Sequence, residues 1–194
     1  MARHKEFDVQ KALKAAQEAF WEHGYEATSL DDLVRRMGVQ RASLYATFGD
    51  KRSLFLAALR RYQEESLRAL RESLEGSRSP RAALRALFAA FVDGACAKGV
   101  RRGCLCVNTS VELAPHDPEI AAAMRRHGKA VEALLAAAVR RGVRAGEFSR
   151  RRSPRAVARF LTNATLGLSV TAKTSPGRRA LSQIAETTLS VLDP

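Results

Sequence analysis

Residues 28–51 read Thr28-Ser29-Leu30-Asp31-Asp32-Leu33-Val34-Arg35-Arg36-Met37-Gly38-Val39-Gln40-Arg41-Ala42-Ser43-Leu44-Tyr45-Ala46-Thr47-Phe48-Gly49-Asp50-Lys51. Leu30, Leu33, Val34 and Met37 repeat at helical spacing and stop at Gly38. Ser29 is placed to cap that short helix, and Asp31 and Asp32 fall in its first turn, where the positive end of the helix dipole favours acids. A second short helix runs from about Arg41 to Thr47 and turns Leu44 and Phe48 inward. A glycine-containing turn lets two such helices cross steeply over a small shared core, the helix-turn-helix layout. In that layout the second helix offers its outward face to a DNA major groove, and the first lies across the backbone.

The outward set is Gln40, Arg41, Ala42, Ser43, Tyr45, Ala46 and Thr47. An arginine can pair bidentately with a guanine edge, hydroxyls can bond several bases, and Ala42 or Ala46 can meet a thymine methyl. Tyr45, Lys51, Thr28 and Ser29 suit phosphates, which position a protein without specifying sequence. Two short amphipathic helices occur in many helical proteins, so spacing alone leaves a purely structural reading open.

Outward from this stretch, almost every segment keeps a helical period and none keeps a two-residue alternation. Val9, Ala12, Leu13, Ala16 and Phe20 mark a first helix closed by Gly24. Asp50 can cap a long helix from about Lys51 to Leu74. Glu75-Gly76-Ser77-Arg78-Ser79-Pro80 reads as a linker. Ala83, Leu84, Leu87, Phe88, Phe91 and Val92 mark a fifth helix ending near Lys98-Gly99. A sixth starts around Cys104 and stops before Pro115. Asp117-Pro118, Ser153-Pro154 and Ser175-Pro176 each place a cap residue before proline at the first helical position, opening helices seven, eight and nine. The expected fold is all-α with about nine helices: a DNA-binding domain over residues 1–50 and a second helical domain over 51–194.

The 194 residues carry 33 Lys and Arg against 20 Asp and Glu, a formal net charge of +13. The sequence isoelectric point near 10.6 permits a polyanionic partner. The charge does not locate one: the first 62 residues hold 11 basic and 8 acidic groups, and much of the remaining excess falls in Arg101-Arg102, Arg125-Arg126, Arg140-Arg141 and Arg150-Arg151-Arg152. A 46% hydrophobic content supports a buried core. No apolar run approaches the ~18 residues a membrane helix needs, and no secretory leader is evident at the start. Three cysteines make no disulfide framework, so a reducing cytoplasm is expected. His4, His23, His116 and His127 have no partners at catalytic spacing, and Cys104, Cys106 and His116 lack zinc-type spacing. Neither an enzyme, a cofactor nor a metal is expected.

Ala19-Phe20, Gly24-Tyr25, Thr28-Ser29-Leu30-Asp31-Asp32-Leu33, Met37-Gly38-Val39, Ser43 through Lys51 and Leu54-Phe55 together resemble the N-terminal domain of TetR-type transcriptional regulators. The likeness spans about residues 8–62. It implies a recognition helix carrying Arg41, Ala42, Ser43, Tyr45, Ala46 and Thr47, with Lys51 holding a phosphate. It also implies a homodimer on an inverted-repeat operator in double-stranded DNA, repression as the output, and a small-molecule effector of unknown class.

Members of that family use helices five to eight as a ligand pocket and the last two as a dimer interface. The corresponding pocket candidates are Phe88, Phe91, Cys104, Asn108, Phe160 and Asn163. Val157, Phe160, Leu161, Ala164 and Leu168 on the eighth helix and Leu181, Ile184 and Thr188 on the ninth are candidates for pairing two copies in a four-helix bundle. The same stripes could instead cover the monomer's own core. Arg102-Gly103-Cys104-Leu105-Cys106-Val107-Asn108 resembles a Gly-Cys-Leu-x-x-Asn segment of one branch of the family, some members of which sense oxidants or electrophiles. Cys104 at a helix start, near Arg101 and Arg102, suits a thiolate. Two other outcomes stay open: a cysteine redox protein whose chemistry is the output, and an architectural DNA-binding protein without sequence preference.

Overall fold

Most helices of this chain begin where a side chain can take up the first free amides. The computed structural model describes residues 7–97, 102–174 and 177–193. Among them are nine α-helices and a terminal 3-10 turn, with no strand. The helices are α1 (Val9–His23), α2 (Leu30–Met37), α3 (Arg41–Phe48), α4 (Lys51–Glu75), α5 (Pro80–Ala95), α6 (Leu105–Glu112), α7 (Pro118–Arg144), α8 (Pro154–Ala172) and α9 (Arg178–Leu189). Asp8 accepts from the amides of Gln10 and Lys11 at 2.9 and 3.0 Å. Asp117 accepts from Glu119 and Ile120, and Ser153 from Ala156. Ser79 caps α5 in the same way, at 3.1 Å from the Ala82 amide. Ser79-Pro80, read from sequence as the end of a linker, is therefore a helix start. Ser175-Pro176, Lys98-Gly99, Arg101 and His4 lie outside the described residues.

The chain divides into two compact units, residues 1–64 and 65–194, with α4 contributing to both. In the first unit, α1 to α3 and the first part of α4 enclose Ala16, Ala19, Phe20, Leu33, Leu44, Leu54, Phe55 and Ala58. The Phe20 and Phe55 rings meet edge-on at 5.1 Å, and Tyr25 packs against Phe55 at 5.0 Å. These rings tie α1 and the turn after it to the first part of α4, while α2 packs on α1 and α3 on α2.

The second unit is built on one apolar cluster that includes Leu84, Phe88, Leu135, Val139, Phe148, Leu161, Leu168, Leu181 and Leu192. One corner is tied by residues far apart in sequence. The Glu147 carboxylate accepts from the Ser79 hydroxyl and the Arg81 amide, both at 2.8 Å, supplying a negative charge at the α5 N-terminus. Arg81 also donates to Asp193 at 2.6 Å, and its guanidinium lies 5.4 Å from the Phe148 ring centroid. A Cβ on Gly142 would lie 2.0 Å from that ring, so only glycine lets α7 approach Phe148.

Candidate nucleic-acid interface

The turn between α2 and α3 depends on one backbone conformation. Gly38 has φ 67 and ψ 31, the left-handed region that favours glycine, and its amide closes α2 on the Val34 carbonyl. A Cβ there would meet nothing, so the requirement is conformational rather than steric. Ser29 and Asp32 form a reciprocal capping box at the other end of α2. The Asp32 carboxyl is held below its ordinary value first by the Ser29 hydroxyl and amide, then by Arg35.

Leu44 is fully buried and Phe48 half-buried, which anchors one side of α3. Arg41, Ala42, Tyr45 and Ala46 are exposed and, at ~100° per residue, cover an arc of about 140°. Two alanines in that arc keep the surface low, so the helix backbone can come close to a groove floor. Tyr45 is 42% exposed, far more than a core aromatic. Gln40 occupies the α3 cap position without a side-chain capping bond, which leaves its amide available. Thr47 is exposed and Ser43 half-buried beside it.

Arg41 is not a free cation: its guanidinium pairs with Asp31 on α2. Both side chains are exposed, so a phosphate or base edge can compete for the arginine. At the start of α4, the Lys51 ammonium lies 4.4 Å from the Tyr25 ring centroid and 3.4 Å from the Glu26 carbonyl oxygen. The Ser53 amide donates to Asp50 at 2.6 Å, confirming Asp50 as the cap and holding its carboxyl below the usual range.

Two residues expected at phosphates are used otherwise. Thr28 is completely buried, and its hydroxyl donates to the Gly24 carbonyl at 2.6 Å, closing the turn between α1 and α2. The Ser29 hydroxyl donates to Asp32 at 2.6 Å and its amide points to the same carboxylate, so both donors are engaged in the α2 cap.

The C-terminal candidates also separate. Phe88 is buried and Phe91 half-buried, both against the main cluster. Phe160 and Asn163 are exposed on the outward side of α8, so they do not line an interior pocket with Phe88. Asn108 donates to the Arg102 carbonyl at 2.9 Å and accepts from Lys173 at 2.8 Å, which makes it a staple between the start of α6 and the end of α8. Cys104 is half-buried at the α6 cap position and Cys106 is buried. Cys96, not singled out from sequence, is the C-terminal cap residue of α5, and Asp93 near it holds the Arg178 guanidinium above its ordinary basicity.

Val157, Leu161, Leu168, Leu181 and Thr188 are buried within the single chain, so they face its own core rather than a partner. The outward apolar side consists of Phe160, Leu166, Val170 and Ile184, at 47, 45, 52 and 39% exposure. Ala164, half-buried, lies at its edge.

Comparison with known proteins agrees with this layout. Residues 12–58 match the family described as bacterial regulatory proteins, tetR family, and residues 80–188 match a tetracyclin repressor-like C-terminal domain. The chain belongs to the tetR family. Over its full length it is 37% identical to the uncharacterized HTH-type transcriptional regulator YezE of Bacillus subtilis, covering 100% of both chains. It is 35% identical to the HTH-type transcriptional repressor ComR of Escherichia coli over 96% of this chain and 90% of that one. Among solved structures, a cysteine-substituted CifR bound to 26-base-pair operator DNA superposes with a TM-score of 0.87 at 30% identity, covering 98% of this chain and 100% of that one. This tetR-family protein is a DNA-binding transcriptional regulator.

Proposed function

We propose that this tetR-family regulator is a cytoplasmic homodimeric repressor, without catalytic activity or cofactor, released from an inverted-repeat operator by a small-molecule effector. The exposed face of α3 carries the reading: Arg41, Ala42, Tyr45 and Ala46 stand outward on a helix locked from behind by Leu44. Arg41 reads a base edge, with Gln40, Ser43, Ala42, Ala46 and Thr47 completing the contacts, while Tyr45 and Lys51 hold phosphates. The unit of residues 1–64, wider than the 1–50 expected from sequence, serves DNA, and the unit of residues 65–194 serves pairing and effector binding.

Pairing uses the outward side of α8 and α9. An apolar patch built from Phe160, Leu166, Val170 and Ile184 needs cover, and a second copy supplies the same patch by two-fold symmetry. A dimer also places two α3 helices on half-sites about one DNA turn, ~34 Å, apart. ComR, 35% identical over nearly the whole chain, is named a repressor, and CifR, 30% identical, was solved on its operator. Effector binding lowers operator affinity to the extent that it favours the form not bound to DNA.

The deciding experiment is selection from random double-stranded DNA by the purified protein. Enrichment of an inverted repeat supports the reading. Enrichment of a lone half-site refutes the dimer, and no enrichment despite low-salt binding refutes sequence specificity.

A second trigger is favoured by one observation: Cys104 sits half-buried at the α6 N-terminus, where the dipole stabilises a thiolate. Thiol modification would then release the operator in place of a reversible ligand. Release by a mild oxidant that Cys104→Ser abolishes would establish it; release unchanged in that variant would exclude it.

A further inference from the structure

Helices α5 and α9 run antiparallel, and an ion pair stands at each end of the channel between them. Arg178, at the start of α9, pairs with Asp93 near the end of α5. Arg81, at the start of α5, pairs with Asp193 just beyond α9. Between these pairs lies a cavity of about 460 Å³. Phe88, Val92, Ala185, Leu189 and Leu192 contribute apolar surface to it. The volume is in the range of small-molecule sites, ~300–1,000 Å³.

The charges are arranged unevenly. Asp93 and Asp193 are engaged by Arg178 and Arg81, whereas Arg85 and Glu186, both lining the cavity, form no ion pair among the described residues. One open guanidinium above an apolar floor is complementary to an anionic head on an apolar body. Glu186 adds an acceptor for an N–H or O–H on that body. The walls are set before any ligand arrives, because Arg81 is held by Asp193 and by the face of Phe148. The cavity also lies away from the patch assigned to pairing. Ser182 and Glu186, two residues either side of Ile184, each point about 160° from it on the helix.

We propose that the α5–α9 channel is a binding site for small amphipathic organic anions, with Arg85 holding the carboxylate or sulfonate and Phe88, Val92 and Leu189 the apolar body. As an effector site it rests on the repressor reading above, since α9 would pass the ligand's presence to the pairing surface. As a binding site it stands on the channel alone.

The test uses 8-anilinonaphthalene-1-sulfonate, which combines a sulfonate, an N–H and apolar rings, titrated by fluorescence into the folded full-length protein. Saturable binding at one site per chain is expected. Arg85→Ala should weaken it about tenfold or more, the loss of one charge-assisted contact. Ala89→Trp, at an exposed position lining the channel, should abolish it with helicity and melting unchanged. Equal affinity in wild type, Arg85→Ala and Ala89→Trp would overturn the site, as would absence of saturable binding. Operator affinity is then measured with the probe bound. A fall supports the effector role; an unchanged value overturns that role while the binding site stands, and the DNA selection above tests the repressor reading independently.

Discussion

Lys51 is the clearest case of a residue whose two contributions can be separated by salt. Its ammonium rests over the Tyr25 ring at 4.4 Å and near the Glu26 carbonyl, so the first turn of α4 presents a positioned cation. Each phosphate neutralised adds about 0.9 to the slope of log affinity against log salt. Between about 50 and 200 mM salt, a fourfold change, losing one contact removes about 3.5-fold of the salt effect, and losing one per protomer of a dimer about 12-fold. Lys51→Met keeps an apolar stem over Tyr25, so the folding loss stays within the ~0.5–1 kcal/mol of an exposed cation–π contact. Operator binding of Lys51→Met should therefore weaken most at low salt, with the slope flattened by these amounts and the preferred sequence unchanged. Thr28→Val is the matched control: it removes a buried hydroxyl bond worth about 0.5–1.5 kcal/mol of stability and should leave the slope alone. Fluorescence anisotropy across a salt series reads both. An unchanged slope for Lys51→Met would refute the phosphate role, and a new preferred sequence would refute the division between positioning and reading residues.

Asp31→Asn frees Arg41 and removes an acid from the DNA-facing side. The exposed pair is worth about 0–1 kcal/mol, so folding should move little while operator affinity rises up to about fivefold; weaker binding would mean that Asp31 orients Arg41 instead. Gly142→Ala forces a Cβ to within 2.0 Å of the buried Phe148 ring and should cost about 1–3 kcal/mol in thermal or urea unfolding, partly recovered by adding Phe148→Leu; a wild-type melt would refute the steric argument. His127 is held below its ordinary value of 6.5 by burial, and its Nδ1 has no hydrogen-bond partner among the described residues. The unfolded chain takes up that proton first, so stability should be level above pH 6.5 and decline as pH falls through it toward the lower folded value. Urea midpoints at about pH 7.5 and about pH 5.5 check this, and His127→Gln should reduce the difference; an undiminished difference would assign the dependence to other groups.

Much of the fold was legible because helix starts and stops are local events. Ser29 with Asp32, Asp117 with Pro118, Ser153 with Pro154 and the turn glycine Gly38 each act on amides within a few residues, so their spacing alone marks the boundaries. The outward face of α3 was legible for the same reason: once Leu44 and Phe48 point inward, the helical period sends Arg41, Ala42, Tyr45 and Ala46 outward. Thr28 was misread because its acceptor, the Gly24 carbonyl, becomes available only when the turn after α1 closes. Glu147 carried no signal at all, since the α5 amide it satisfies is 66 residues away in sequence.

The misassigned half of the pairing surface has a different cause. On α8, Phe160 and Leu161 are neighbours in sequence and only ~100° apart on the helix, so a stripe drawn through both spans two faces. The structure splits them: Leu161 is fully buried and Phe160 is 47% exposed. Periodicity can show that a helix is apolar over a wide arc, but not where the arc divides between partners, because the division depends on which other helices arrive. Here α7 and α9 take the side of Val157, Leu161 and Leu168. Phe160, Leu166 and Val170 remain, and an apolar face left over after the chain's own helices have packed calls for a partner from outside the chain. That is why the exposed residues of α8, and not the buried ones first assigned, carry the argument for a second copy.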